Sequence, residues 1–130
     1  MQSELLALLV ERDQQSPPRK NTEADLTIWI GRTVDNDLLN EISLIIARSY
    51  QDQSVSYEIA DCIMNDLWGI VIDRAIAKEA DIPSPFYEIF DAFEAGEYHR
   101  RPDGSDDPVA DHTNPLIAEL LERYPVNAGR

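Results

Sequence analysis

The chain has 130 residues, of which 43% are hydrophobic and 28% charged, a balance typical of a folded soluble protein and not of a disordered one. That length accommodates one domain with a single core. Twenty-five acidic residues against eleven basic ones give a net charge of −14, which repels nucleic-acid phosphates and anionic membranes and favours basic partners. We therefore expect no nucleic-acid binding and no membrane association.

The single cysteine, Cys62, excludes an intrachain disulfide, and its place in an apolar helical pattern predicts a small buried core residue. The N-terminal segment lacks the basic region of a signal peptide, and no apolar run reaches the length of a membrane span. We therefore expect a cytoplasmic protein.

Four leucines near the N-terminus predict a short amphipathic helix over residues 1–15, with Ser3 as its N-cap. A proline-rich linker over 16–22 separates it from a helical core over 23–124, and we expect the first helix to dock on that core as a flap.

Residues 22–34 carry two conflicting signals. Thr22 and Asp25 have the spacing of a capping box, whereas Leu26, Ile28 and Ile30 alternate like a strand. Since no second strand is evident to pair with it, the helical interpretation is favoured.

The strongest helical patterns follow. Asp35 or Asn36 caps a helix over 37–51, and Ser56 caps a long central helix that continues to Lys78. The buried stripe predicted for the central helix consists of Ala60, Ile63, Met64, Leu67, Ile70, Val71 and Ala75.

Two Ser/Asn-Pro pairs predict the starts of the last two helices. Ser84 is placed as the N-cap of a helix that ends near Gly96 and buries three phenylalanines, and Asn114 as the N-cap of the final helix after a loop over 100–112. The fold class predicted for residues 1–130 is therefore all-α, a single-domain bundle or array of five to six helices.

The acidic residues concentrate in the second half, with seventeen acids and four bases over 52–122 against eight acids and five bases over 1–51. On helical wheels, two stripes beside the buried ones mix aromatic and acidic side chains. Tyrosine and tryptophan anchor protein interfaces and carboxylates steer basic partners, although aromatic side chains also commonly cover the edge of a core. The candidate partner-binding residues are Tyr57, Asp61, Trp68, Tyr87, Asp91, Glu94 and Tyr98 on these stripes, and Asp103, Asp106 and Asp107 in the loop.

A catalytic alternative rests on two acid pairs, Glu58 with Asp61 and Glu88 with Asp91, whose spacing resembles that of the MazG-type nucleotide pyrophosphohydrolases. The resemblance implies magnesium held by these four carboxylates on two helices. Six acid pairs at i, i+3 occur in the chain, however, which is about the number that random placement of 25 acids among 130 positions gives.

Other metal and catalytic patterns fit less well. His99 and His112 have the wrong offsets for a di-iron bundle, and one cysteine with two histidines does not make a structural zinc site. The aspartates around Gly104 depart from a calcium-binding EF-hand loop, and no phosphate-binding loop or nucleophile motif occurs. We expect no catalytic residues, no metal and no cofactor.

The leading hypothesis is therefore a non-enzymatic, acidic protein-binding domain that docks on a basic protein, as an immunity protein or an antitoxin-like inhibitor docks on a toxin. The alternatives are the magnesium-dependent nucleotide hydrolase and a helical oligomer or scaffold subunit whose first helix packs on a neighbour.

Overall fold

The computed structural model describes residues 2–14, 20–77 and 80–125, and this part of the chain contains six α-helices and no β-strand. The predicted all-α class is therefore confirmed. A π-helical turn over Val109–Thr113 leads directly into the last helix. The helices are α1 (Gln2–Asp13), α2 (Glu23–Ile30), α3 (Asn36–Gln51), α4 (Tyr57–Ile76), α5 (Phe86–Glu94) and α6 (Asn114–Arg123).

The core lies between α3, α4 and α5, each of which packs against the other two. α6 covers α3 and α5, and α1 lies against α4 and α3. Phe86 and Phe93 of α5 are fully buried, as are Ile46 of α3 and Leu67 of α4. Burial of each such side chain contributes about 1.5–3 kcal/mol, so packing fixes α5 although it has only nine residues.

Residues 22–34 are helical over Glu23–Ile30, as the capping signal predicted. Thr22 Oγ1 accepts the N–H of Asp25 at 3.2 Å, and Asp25 Oδ2 accepts the N–H of Thr22 at 3.0 Å. The strand-like alternation has no structural counterpart, because Leu26 is buried while Ile28 is 77% exposed.

α1 docks on the rest of the fold as predicted, and its leucines Leu5 and Leu9 are buried as part of the core. Arg12 also binds both carboxylate oxygens of Asp25 in α2, at 2.8 and 3.1 Å. Ser3, the predicted N-cap, lies inside the first turn, since α1 begins at Gln2.

Two predicted segment boundaries fall partly outside the described residues. Of the predicted linker over 16–22, residues 16–19 lie outside them, whereas the buried Asn21 donates its N–H to Asp66 of α4 at 2.8 Å. α4 ends at Ile76, and Lys78, the predicted end, is not among the described residues.

Asp35 and Ser56 cap α3 and α4 as predicted. The predicted cap of α5 is wrong: the Ser84 hydroxyl donates to the Glu88 carboxylate at 2.7 Å. The N–H of Phe86 instead donates to Asn40 Oδ1 of α3 at 2.9 Å. A side chain 46 positions away thus replaces the local cap, which local sequence patterns do not reveal.

The predicted start of the last helix is also wrong. Asp107 Oδ1 accepts the N–H of Ala110 at 3.2 Å, and Pro108 occupies the first position of the helical turns that precede α6. The loop prediction over 100–112 therefore fails for residues 108–112. Asn114 lies within the helical path and accepts a hydrogen bond from the Tyr50 hydroxyl.

The buried stripe of α4 is confirmed except at Ala75, which is partly exposed. Cys62 is exposed, so its prediction as a core residue is wrong. The neighbours of Cys62 along the chain are apolar, but Cys62 lies two residues after the buried Ala60. That position is rotated by about 200° around the helix axis and therefore faces away from the core.

The C-terminal end of α5 is capped by side chains from two other elements. Phe93 O accepts the Tyr57 hydroxyl of α4 at 2.6 Å, and Ala92 O accepts the Thr113 hydroxyl of the π-helical turn at 2.8 Å. Gly96 lies between them: a Cβ there would meet Thr113 Oγ1 at 2.5 Å and Tyr57 Oη at 2.9 Å. We call this contact between α4, α5 and the π-helical turn the α5 junction.

We predict that Gly96→Ala lowers the free energy of unfolding by about 1–3 kcal/mol, because both hydroxyls that it would displace are held by hydrogen bonds. The matched control is Gly69→Ala within α4, where a Cβ would meet only the Lys20 side chain at 3.5 Å or more. That control should stabilise the protein by about 0.5–1 kcal/mol through helix propensity. Urea unfolding measures both, and equal effects of the two variants would contradict the junction's tight packing.

Candidate functional site

The two predicted stripes lie side by side on antiparallel helices. At one end, the Trp68 ring of α4 stacks on Phe90 of α5 with centroids 4.5 Å apart, and Tyr87 is 5.8 Å away. At the other end, Tyr57 of α4 reaches Phe93 of α5. The resulting surface, here the α4–α5 face, consists of Asp61, Asn65 and Trp68 from α4, Tyr87, Asp91 and Glu94 from α5, and Glu97 and Tyr98 from the following turn.

Three carboxyl groups meet at the centre of this face. Asp61, Glu94 and Glu97 each place an oxygen within 4.8 Å of the others, and we call them the carboxylate cluster. Asp61 and Glu94 are partly buried, whereas Glu97 is exposed. Asn65 Nδ2 donates to Glu97 Oε2 at 3.3 Å. Within the described residues, no lysine, arginine or histidine forms an ion pair with any of the three.

Three ionised carboxylates at this separation would repel one another strongly. Two unit charges 4–5 Å apart near a protein surface interact by on the order of 3–4 kcal/mol. Burial, then the neighbouring Glu97, raises the pKa of Asp61 to about 8 and that of Glu94 to about 7. Burial also acts to raise the pKa of Glu97, but hydrogen bonds from Asp61, Glu94 and Asn65 outweigh it and lower that pKa. At neutral pH the cluster therefore retains protons.

The predicted aromatic residues divide into two groups. Tyr57 and Trp68 are partly buried and pack on α5, so they cover the edge of the core. Tyr87 and Tyr98 are 43% and 57% exposed at opposite ends of the face. Tyr98 lies beyond the end of α5 and therefore not on its helical stripe, and the Arg100 guanidinium lies 4.1 Å from its ring centroid.

The three predicted loop aspartates hold the loop's own backbone. Asp106 accepts the N–H groups of Arg100 at 2.8 Å and Arg101 at 3.3 Å, and its side chain is only 7% exposed. Asp103 accepts the N–H of Ser105, and Asp107 caps the π-helical turn. The candidate site is therefore centred on the α4–α5 face and not on this loop.

The four carboxylates of the magnesium alternative are not gathered into one cluster. Only Asp61 belongs to the carboxylate cluster, and the described residues hold no other group of three His, Cys, Asp or Glu side chains whose polar atoms approach as closely.

Glu97 completes the cluster and Asn65 donates to it, although neither is among the predicted site residues. The 94/97 acid spacing was visible in the sequence, but Gly96 marks the helix end between the two glutamates. The position of Glu97 depends on the α5 junction, which no local pattern signals.

An open cavity of about 610 Å³ lies beside the face, where α3 ends and α4 begins. Among the described residues, its lining includes Tyr50, Gln53, Tyr57 and Asn114 and no carboxylate or basic side chain. The charge of the site is therefore confined to the α4–α5 face.

No protein-family model, curated protein or solved structure matches the chain. Among the described residues, none of the helices combines the length and apolar character that crossing a membrane requires. Function is therefore inferred from the α4–α5 face itself.

We predict that the protein loses stability as the pH rises from about 5.5 to 8.5. The unfolded chain releases the protons of Asp61 and Glu94 near pH 4, whereas the folded chain keeps them up to pH values of about 7 to 8. The stabilisation that the protonated Asp61 and Glu94 carboxyl groups contribute is complete below their pKa in the unfolded chain. It is lost as the pH rises through their pKa values in the folded chain. After discounting for solvent screening, the loss is about 1 kcal/mol.

Urea unfolding at both pH values measures this loss. Asp61→Asn should reduce it, because the amide cannot ionise, while Glu122→Gln on exposed α6 surface should leave it unchanged. Asp25 and Asp106 do not interfere, since their pKa values are lowered and lie below this window. Stability that rises with pH across the window would contradict the account of the cluster.

We also predict that Asp106→Ala lowers the melting temperature more than Asp103→Ala. The backbone N–H groups of Arg100 and Arg101 lower the Asp106 pKa to about 2, so the ionised side chain is an acceptor that alanine cannot replace. Amide hydrogen exchange at those two arginines should also accelerate. Equal melting temperatures and unchanged exchange would show that Asp106 does not hold the loop.

Proposed function

We propose that the protein is a non-enzymatic, cytoplasmic protein-binding domain whose α4–α5 face docks on a basic protein, in the manner of an immunity protein or an antitoxin-like inhibitor. The observation that carries this proposal is that the carboxyl groups of that face have no basic partner within the described residues. The evidence comes from the pairing of the charges and from the exposed aromatic residues.

Acidic residues on α2 and at the start of α3 have basic neighbours within the chain. Arg12 binds Asp25, Arg74 lies 3.7 Å from Glu23, and Arg32 lies 3.9 Å from Asp35. On the α4–α5 face, by contrast, the described residues provide no ion pair for Asp61, Asp91, Glu94 or Glu97. A basic partner would supply the missing compensation and would be steered to this face.

Tyrosines flank the charged centre of the face. Tyr87 lies at one end beside Trp68, and Tyr98 at the other beside Arg100. Exposed tyrosines are frequent anchors in protein interfaces, because they bury a large rigid ring and still offer a hydroxyl group. An acidic centre flanked by aromatic side chains fits a partner that presents lysine or arginine residues among apolar ones.

The proposal predicts capture of a basic protein from the native host's lysate, with release as the salt concentration rises. The combined variant Asp91→Ala and Tyr98→Ala should weaken binding of that protein by about tenfold or more, because it removes one charge and one anchor. Both side chains are exposed, so the fold should tolerate the changes.

Glu122→Ala is the matched control, since it removes one exposed charge from α6 and should leave the affinity near that of the wild type. Calorimetry with the purified partner measures all three proteins. An affinity that is insensitive to salt, or equal in both variants, would contradict docking through the α4–α5 face.

A further inference from the structure

The open cavity of about 610 Å³ where α3 ends and α4 begins is lined mainly by polar side chains that carry no charge. Its volume lies within the range of about 300–1,000 Å³ that is typical of small-molecule sites. Hydroxyl groups and side-chain amides can each donate and accept hydrogen bonds. The described polar residues of the lining are Tyr50, Gln51, Gln53, Ser56, Tyr57 and Asn114.

The side-chain amides of this lining are available to a ligand. The Tyr50 hydroxyl donates to Asn114 Oδ1, and the Nδ2 group of Asn114 has no acceptor among the described residues. The exposed amides of Gln51 and Gln53 form no side-chain hydrogen bond within the described part of the chain. Three amides at one cavity therefore offer donors and acceptors that the fold itself does not use.

The two tyrosine rings of the lining are held in place before any ligand binds. The Tyr57 hydroxyl donates to Phe93 O at 2.6 Å, and the Tyr50 ring packs edge-on against Phe93 with centroids 5.3 Å apart. Both tyrosines are only partly buried, so each keeps some accessible surface. Because these rings are already ordered, binding against them costs little further conformational entropy.

The backbone of Gln53 provides an independent indication of a binding role. Gln53 has a φ of 68°, the one positive φ of a non-glycine residue among the residues that the structure describes. Glycine adopts this conformation without steric cost, whereas a residue with a Cβ does so at a cost. Backbone strain of this kind is found preferentially at ligand-binding and other functional sites. The strain at Gln53 therefore coincides with a cavity whose amides lack partners.

We propose that this cavity binds an uncharged, polyhydroxylated ring, which is the chemistry of a neutral sugar. Sugar hydroxyls both donate and accept hydrogen bonds, as the lining groups do, and the C–H faces of the ring can pack on the tyrosine rings. This inference is independent of the proposed docking function of the α4–α5 face.

Other ligand classes fit the cavity less well. The net charge of −14 repels phosphorylated and carboxylated ligands, and no basic side chain of the described lining compensates for it. The described lining also lacks the carboxylate that would hold an amine or a metal ion. A flat apolar ligand needs mainly apolar walls, whereas Val55 and Ile117 are the only aliphatic residues of the described lining.

The test is an amide chemical-shift titration of the full chain with the methyl glycosides of glucose, galactose and mannose. At least one of them should shift the signals of Gln53, Ser56 and Asn114, with a dissociation constant on the order of millimolar. Glucuronate and glucosamine, the charged analogues, should bind at least about threefold more weakly. The proposal is overturned by the absence of shifts with all three glycosides up to about 50 mM, by shifts centred elsewhere, or by equal binding of the charged analogues.

Gln53→Gly separates ligand binding from folding. The variant removes the amide and relieves the positive φ, so the midpoint of urea unfolding should rise while the glycoside affinity falls by about fivefold or more. Gln14→Ala is the control, since it removes an exposed amide at the end of α1 that does not line this cavity, and it should leave the affinity unchanged. A Gln53→Gly variant that binds the glycoside as tightly as the wild type would contradict the assigned site.

Discussion

The capped C-terminal end of α5 is the constraint on which the candidate site depends. α5 is short, and its last carbonyl groups are satisfied by the hydroxyls of Tyr57 and Thr113, which come from α4 and the π-helical turn. These bonds depend on the glycine at position 96, because a Cβ there would displace both hydroxyls. The same geometry places Glu94 and Glu97 beside Asp61, so the packing of a helix end produces the charge density of the α4–α5 face.

This arrangement concentrates repulsion in one region of the domain. Glu23 and Asp25 of α2 and the α3 cap Asp35 are compensated by arginines, and the loop residues Asp103 and Asp106 by backbone N–H groups. Within the described residues, the carboxylate cluster has neither an arginine nor a backbone N–H group as a partner. It accepts a hydrogen bond from the Asn65 side-chain amide and retains protons. Binding surfaces are commonly less stable than the remainder of a fold, because groups that suit a partner do not suit the free protein. A basic partner would supply the counter-charge that no basic side chain among the described residues supplies.

The helices and most of their caps could be predicted because their determinants are local. The capping box of Thr22 and Asp25, the caps Asp35 and Ser56, and the buried stripe of α4 all follow from residues within a few positions of one another. The errors arise where a distant residue replaces a local signal, as when Asn40 accepts the N–H of Phe86.

The same distinction applies to the site. Apart from Tyr98, which lies beyond α5, the two stripes could be read from helical periodicity, and α4 and α5 do bring them together. Glu97 could not be predicted, because its position depends on the close contact between Gly96, Thr113 and Tyr57. Composition showed that the second half of the chain is acidic, but only the structure separates carboxylates that hold a loop, such as Asp106, from those that lack partners on the α4–α5 face.

The central claim is that the α4–α5 face is the docking surface for basic ligands. Its most direct test is an amide chemical-shift map recorded while an oligoarginine peptide is added at moderate salt. The account predicts that the largest shifts occur at the α4–α5 face, around Asp61, Asn65, Asp91, Glu94 and Glu97. Shifts spread evenly over the acidic surface, or centred on residues 103–111, would contradict it.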